Sequence, residues 1–180
     1  CGMIQELNVM FAFAVWDYKR RRLLIARDRF GEKPLYWGVF DNTLLFASEP
    51  KVLLAHPAVK PSLNLQALRQ YLSFDYVPAP LSIYQGINKL PAAHKLTLED
   101  GRVDVSCYWQ LNYETKTPVP TEDEAAEHLQ ELLADAVRMR LVSDVPLGVL
   151  LSGGVDSSSI AALAVRASSE AVKTFSISFA

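Results

Sequence analysis

The stretch LLSGGVDSS, Leu150–Ser158, stops an apolar run at two glycines and resumes as an aspartate followed by hydroxyls. Before it, PLGVLLS (146–152) reads as a strand; after it, DSSSIAALAVRAS (156–168) reads as a helix and VKTFSISF (172–179) as a second strand. Strand, helix, strand in so short a span is the βαβ unit of a parallel sheet. A strand that passes through glycines into a helix leaves backbone N–H groups unpaired at the positive end of the helix dipole, an arrangement that suits an anion. Gly153 and Gly154 are expected because a Cβ would block a close approach or forbid the turn's dihedrals. Ser152, Ser157 and Ser158 can add hydroxyl donors. The loop has no lysine and lacks the glycine spacing of the Walker or dinucleotide fingerprints. Strand-to-helix turns without a ligand also use Gly-Gly and Asp-Ser, so these residues alone leave both readings open.

Upstream, Thr121 to Glu124 has capping-box spacing and predicts a helix start. Ala125, Leu129, Leu132, Leu133, Ala136 and Val137 follow at helical spacing as its inward stripe, with acidic residues early and Arg138 and Arg140 late, as the dipole favours. Residues 110–120 are polar and end in two prolines, the composition of a linker. The domain division is placed there, at 1–115 and 116–180. In the first part MFAFAVW (10–16), RLLIARD (22–28), KPLYWGVF (33–40) and TLLFASE (43–49) are short apolar runs separated by turn residues, the pattern of a packed β-meander. A short helix should start at Pro50 and stop by Pro57. A second should put Leu65, Leu68, Tyr71 and Leu72 on one helical face. Asp100-Gly101 is a tight-turn signal inside a hairpin over 94–109.

Composition sets the outer limits. The 180 residues are 50% hydrophobic and 21% charged, with 18 basic and 20 acidic side chains and a net charge of -2. That balance offers no footprint for nucleic acid or an anionic membrane; the basic run Lys19–Arg22 reads as a solvated turn. The two cysteines, Cys1 and Cys107, make neither a disulfide framework nor a zinc site and point to a reducing, cytoplasmic setting. His56, His94 and His128 have no metal spacing. No apolar run approaches the roughly 20 residues of a membrane span, and no signal segment opens the chain.

SGGVDSS on a strand-to-helix turn resembles the pyrophosphate loop of ATP pyrophosphatases, and SDVPLGVLLSGGVDSS (143–158) as a whole resembles the glutamine-hydrolysing asparagine synthetases. LNVMFAFAVWD (7–17), ARDRFGEKPLYWG (26–38), FASEPKVLLAHP (46–57) and LPAAHKLTLEDG (90–101) resemble the second half of that family's glutaminase domain, in the family's order. The resemblance implies an α+β fold: the second half of an N-terminal-nucleophile glutaminase domain, followed by the start of an α/β Rossmann-like adenine-nucleotide hydrolase domain. It implies ATP and Mg²⁺ as cofactors, with aspartate and glutamine as substrates. Ammonia released by the glutaminase displaces AMP from a β-aspartyl-adenylate. By the family's pattern Ser152, Gly153, Gly154, Val155, Asp156, Ser157 and Ser158 cradle the pyrophosphate, Asp156 helps hold magnesium, and Leu151 and Ile177 frame adenine and ribose. For Ile177 a core strand position is an equal reading. Glu49 matches a position near the family's domain interface, where a salt bridge and a part in ammonia passage are both open.

The family begins with Cys-Gly, whose thiol attacks glutamine, and this chain also begins Cys1-Gly2. Met3 onward matches the middle of that domain, so the groups that position glutamine are absent and no catalytic residue is assigned; Val9 stands where the family has glycine. The residues that bind aspartate would lie beyond Ala180. The expectation is therefore an incomplete chain, inactive alone, with a homodimer among its assemblies. A related amidotransferase that adenylates another carboxylate (β-lactam-forming, sugar- or peptide-modifying) and a non-catalytic nucleotide-binding or docking remnant are the alternatives.

Overall fold

A computed structural model describes residues 2–114 and 120–177. The chain divides into two compact units, one through Tyr113 and the other from Glu114.

In the first unit the apolar runs become strands, though not a single meander. β1 (Ala12–Asp17) and β2 (Arg22–Arg27) join β6 (His94–Glu99) and β7 (Arg102–Cys107) in one antiparallel sheet, order β1-β2-β6-β7; β3 (Tyr36–Phe40) lies between β4 (Thr43–Ala47) and β5 (Asn88–Lys89) in a second. Strand alternation sorts side chains between layers. Ile25 and Leu96 of the first sheet meet Trp37 and Leu44 of the second, and Leu35 just before β3, in one core cluster. Ala26 and Leu24, one residue out of phase, turn the other way to Phe11, Phe13 and Ile4 of the short helix α1 (Met3–Glu6). Tyr36, Phe40, Leu45 and Ala47 turn outward from the second sheet to Leu53 of α2 (Pro50–Leu54). The order of layers is helix, sheet, sheet, helix. The unit is α+β with antiparallel sheets.

Turn chemistry was legible. Asp100 (φ 50°) and Gly101 (φ 74°) are both left-handed, which lets two residues close the β6–β7 hairpin with Glu99 opposite Arg102. The basic run is a turn in which the Asp17 carboxylate accepts the Lys19 and Arg20 amides at 3.0 and 3.1 Å. Pro50 opens α2, where its missing N–H costs nothing. Val9 sits in a bend without a left-handed φ, so the backbone there does not demand glycine.

The apolar face read on α3 (Leu65–Phe74) is for the most part uncovered. Leu65 and Leu72 are 72% and 75% exposed and Tyr71 is exposed too, while Ala67 is the residue that packs. Helical spacing fixes which residues share a face; it does not supply a partner for that face.

The second unit runs α4 (Glu122–Arg140), β8 (Gly148–Leu150), α5 (Val155–Ala167) and β9 (Lys173–Phe175), with β8 and β9 parallel. Thr121 caps α4 reciprocally: its Oγ1 accepts the Glu124 amide at 3.3 Å, and its own amide donates to the Glu124 carboxylate at 2.8 Å. The Thr121 amide, together with the Thr121 hydroxyl that also donates to the carboxylate at 2.8 Å, holds the Glu124 carboxyl below its ordinary pKa. Thr121→Ala is expected to cost this unit about 1 kcal/mol, read as a lower thermal midpoint of the helical signal. The α4 stripe is covered only in its second half. Leu133, Ala134 and Val137 pack on Ile160, Leu163 and Ala164 of α5, whereas Ala125, Leu129 and Leu132, also expected to be core, are exposed. Two parallel strands and one crossing helix form a single βαβ unit. A doubly wound sheet is more than the described residues contain.

Candidate functional site

The Leu150–Ser158 stretch sits where a parallel sheet places its ligands, at the C-terminal ends of the strands. The ladder runs one step past β8, where the Leu151 amide donates to the Phe175 carbonyl at 2.8 Å. The Ser176 hydroxyl then donates to the Leu151 carbonyl at 2.7 Å. These two bonds hold the root of the loop beside Ile177. Ile177 is 84% exposed, which overturns a core position and leaves its side chain open beside the loop.

Gly153 turns the chain with φ +83°, and Gly154, extended at φ -77° and ψ 161°, is the N-cap of α5. Among the described residues no side chain caps this helix end. The first amide with an acceptor is that of Ser158, which donates to the Gly154 carbonyl at 3.1 Å; the amides of residues 153–157 have no protein acceptor among the described residues. A row of free donors at a helix start carries the positive end of its dipole, so the loop is ready to accept an anion.

Inside the turn the hydroxyls are engaged with one another. Ser157 Oγ donates to the Gly154 carbonyl at 3.1 Å, accepts the Ser152 amide at 3.3 Å and lies 3.0 Å from Ser152 Oγ. Asp156 and Val155 are exposed in the first turn, and the Asp156 carboxylate has no hydrogen bond or ion pair to the described residues. Gly154 departs from the expectation about its dihedrals, since its φ and ψ suit any residue. A cavity of about 510 Å³ in this unit is lined by Pro146, Gly148 and Lys173, at the opposite ends of the strands, and has no part in the loop.

The other candidates are dispersed. Glu49 pairs with Lys51 at 2.5 Å on the surface. His56 Nδ1 accepts the Ala58 amide at 3.2 Å, and His94 Nδ1 lies 2.7 Å from the Ala92 carbonyl, both within their own turns. No group of three or more His, Cys, Asp or Glu that could hold a metal occurs among the described residues. Cys1 lies outside the described residues, as does part of the expected linker.

Arg27 and Asp28 gained no role from the sequence beyond the resemblance, yet they tie the first unit together. Asp28 is 3% exposed. Its Oδ1 accepts the amides of Phe30 (3.2 Å) and Glu32 (2.9 Å), and its Oδ2 those of Phe11 (3.3 Å) and Lys33 (3.0 Å). Burial alone would push its carboxyl up; the four amides outweigh that and hold it below the ordinary carboxylate value. The Arg27 guanidinium donates to the carbonyls of Lys33, Leu90 and Gly31 at 2.7, 2.6 and 2.6 Å, and burial lowers its pKa. The Tyr108 hydroxyl donates to the Arg27 carbonyl at 2.8 Å. The available signal was an arginine-aspartate pair at a strand end followed by glycine and proline, a pattern that asks for side chains to satisfy a tight loop.

Residues 2–109 match the model of the glutamine amidotransferase domain, and residues 128–180 match that of asparagine synthase. "Asparagine synthetase [glutamine-hydrolyzing] 3" of Bacillus subtilis is 39% identical over 162 residues, 89% of this chain and 26% of that protein. "Putative asparagine synthetase [glutamine-hydrolyzing] 2" of Methanocaldococcus jannaschii is 34% identical over 180 residues, 98% of this chain and 35% of that protein. "Amidase chry2" of Gibberella zeae is 38% identical over 165 residues, 90% of this chain and 24% of that protein. The chain spans about a quarter to a third of the length of these relatives. An antiparallel unit that matches the amidotransferase model, followed by a βαβ unit inside the asparagine synthase match, places this chain in the glutamine amidotransferase family, in the arrangement that glutamine-hydrolysing asparagine synthetases share.

Proposed function

We propose that this chain is part of a glutamine-dependent, ATP-consuming asparagine synthetase, with residues 1–115 in its glutaminase domain and residues 116–180 opening its Rossmann-like synthetase domain. The observation that carries the reading is the row of acceptor-free amides over residues 153–157, inside the segment that matches asparagine synthase. In the reaction a carboxylate of aspartate attacks the α-phosphate of ATP, the bond to the β-phosphate breaks, and ammonia from glutamine then displaces AMP. Pyrophosphate is the leaving group, and its growing charge is what fixed N–H donors stabilise. Backbone amides of Gly153, Gly154, Val155, Asp156 and Ser157 and the hydroxyl of Ser158 take the diphosphate, while Ser152, whose amide and hydroxyl both meet Ser157 Oγ, holds the root of the loop. Leu151 and Ile177 border adenine and ribose. A magnesium ion shared with substrate phosphates needs only one or two protein carboxylates, which fits the unpartnered Asp156. When bound, it neutralises phosphate charge.

The test is thermal. ATP with Mg²⁺ at about 100 times its dissociation constant is expected to stabilise the residue 120–177 unit by about 2.7 kcal/mol, and Asp156→Ala to remove most of that gain. Equal protection of both proteins removes Asp156 from the site. A different carboxylate acceptor is the second reading, favoured by the amidase relative that matches this chain as well as the synthetases do. Aspartate-dependent release of pyrophosphate by the full-length enzyme separates the two. Glutamine as nitrogen donor, a cytoplasmic location and a homodimer belong to the same proposal. No described helix is long and apolar enough to cross a membrane.

A further inference from the structure

We infer that the Ser157 side chain is a positioning residue of the diphosphate loop and gives the ligand no hydroxyl bond of its own. This rests on the reading of the loop as a pyrophosphate seat, for which the asparagine synthase match is the independent support. A serine hydroxyl has one proton and two lone pairs. The Ser157 proton goes to the Gly154 carbonyl, and the Ser157 oxygen accepts the Ser152 amide. With that proton spent, the Ser152–Ser157 bond at 3.0 Å has Ser152 as donor, and the second lone pair is taken. The Ser157 hydroxyl is thus fully used inside the turn.

Its partners lie on both sides of Gly153, the residue whose left-handed φ reverses the chain. Ser157 therefore ties the end of the strand (Ser152) to the helix N-cap (Gly154) and sets the direction in which the amides between them point. A donor row aimed in advance loses less freedom when it binds. Ser158, one residue on, makes no side-chain hydrogen bond to the described residues and is exposed, so its hydroxyl stays available.

The experiment uses the 180-residue chain and inorganic pyrophosphate with Mg²⁺, following backbone amide resonances with and without the ligand. Ser157→Ala is expected to shift the Ser152, Gly153 and Gly154 signals and speed their hydrogen exchange before any ligand is added. It is also expected to weaken pyrophosphate about tenfold, or about 1.4 kcal/mol. Ser157→Thr keeps the hydroxyl and is expected to restore both, whereas Ser158→Ala leaves the ligand-free signals in place. The inference is overturned if Ser157→Ala leaves the ligand-free signals unmoved and weakens only the bound state, the behaviour of a direct ligand. It is also overturned if Ser157→Thr fails to restore affinity. Should the wild-type chain bind no pyrophosphate, the diphosphate reading fails, while the ligand-free signals still report what Ser157 holds.

Discussion

Asp28→Asn keeps the size and shape of the side chain and is still expected to destabilise the first unit by about 3 kcal/mol or more. Each carboxylate oxygen of Asp28 accepts two backbone amides. An asparagine has one acceptor oxygen and one NH₂ group, so whichever way it is turned, two N–H groups in a partly or fully buried setting face a donor. A buried polar group stripped of its partner costs roughly 1–3 kcal/mol, and here two lose theirs at once. The thermal midpoint of a unit this size should fall by on the order of 10 °C. Asp28→Ala should do as much harm or more, since it frees all four amides. A midpoint unchanged in the asparagine variant would mean that the carboxylate does not organise the loop after β2.

The same site gives the unit an acid limit. The folded carboxyl lies below its ordinary value of about 3.9, so its contribution is complete above that value and is lost as pH falls through the lower folded pKa. The wild type is therefore expected to lose stability progressively from about pH 4 downward. The asparagine variant, which has no proton to take up there, should show a flatter acid limb on chemical denaturation at a series of pH values.

Local signals and tertiary ones differed in how far they could be read. The hairpin at Asp100-Gly101, the Thr121 cap and the strand-to-helix turn after Leu150 depend on residues close in sequence, and each is where its pattern placed it. The split into two sheets depends on long-range pairing. β2 pairs with β6 across more than 60 intervening residues, Leu23 opposite Leu98, and nothing in RLLIARD names that partner. Apolar stripes gave faces without occupants: Leu129 and Leu132 on α4 were assigned inward and lie exposed, and so do Leu65 and Leu72 on the apolar face of α3. In the loop the residue types were legible and the use of each hydroxyl was not, because whether a serine bonds outward or within its own turn depends on its rotamer. Asp28 shows the same limit on a larger scale: its four amides come from Phe11 and from the turn after it, brought together only by the fold.

Gly154→Ala is expected to leave the unfolding midpoint of the second unit nearly unchanged and to weaken pyrophosphate at least about tenfold. The two glycines of the loop differ in what they require. Gly153, at φ +83°, occupies a conformation that costs an ordinary residue roughly 1–2 kcal/mol, so Gly153→Ala should lower stability and affinity together. Gly154, at φ -77° and ψ 161°, needs no such freedom, and among the described residues an added Cβ would meet only Ser152 Oγ, at an ordinary contact distance of 3.6 Å. Packing within the chain gives no reason for glycine there. A diphosphate does: its oxygens must come within about 3 Å of the amides, and a methyl group at the helix start holds them off. Affinity lost without stability is therefore the signature of close backbone approach, whereas an alanine variant that binds pyrophosphate as tightly as the wild type would place the anion somewhere other than against these amides.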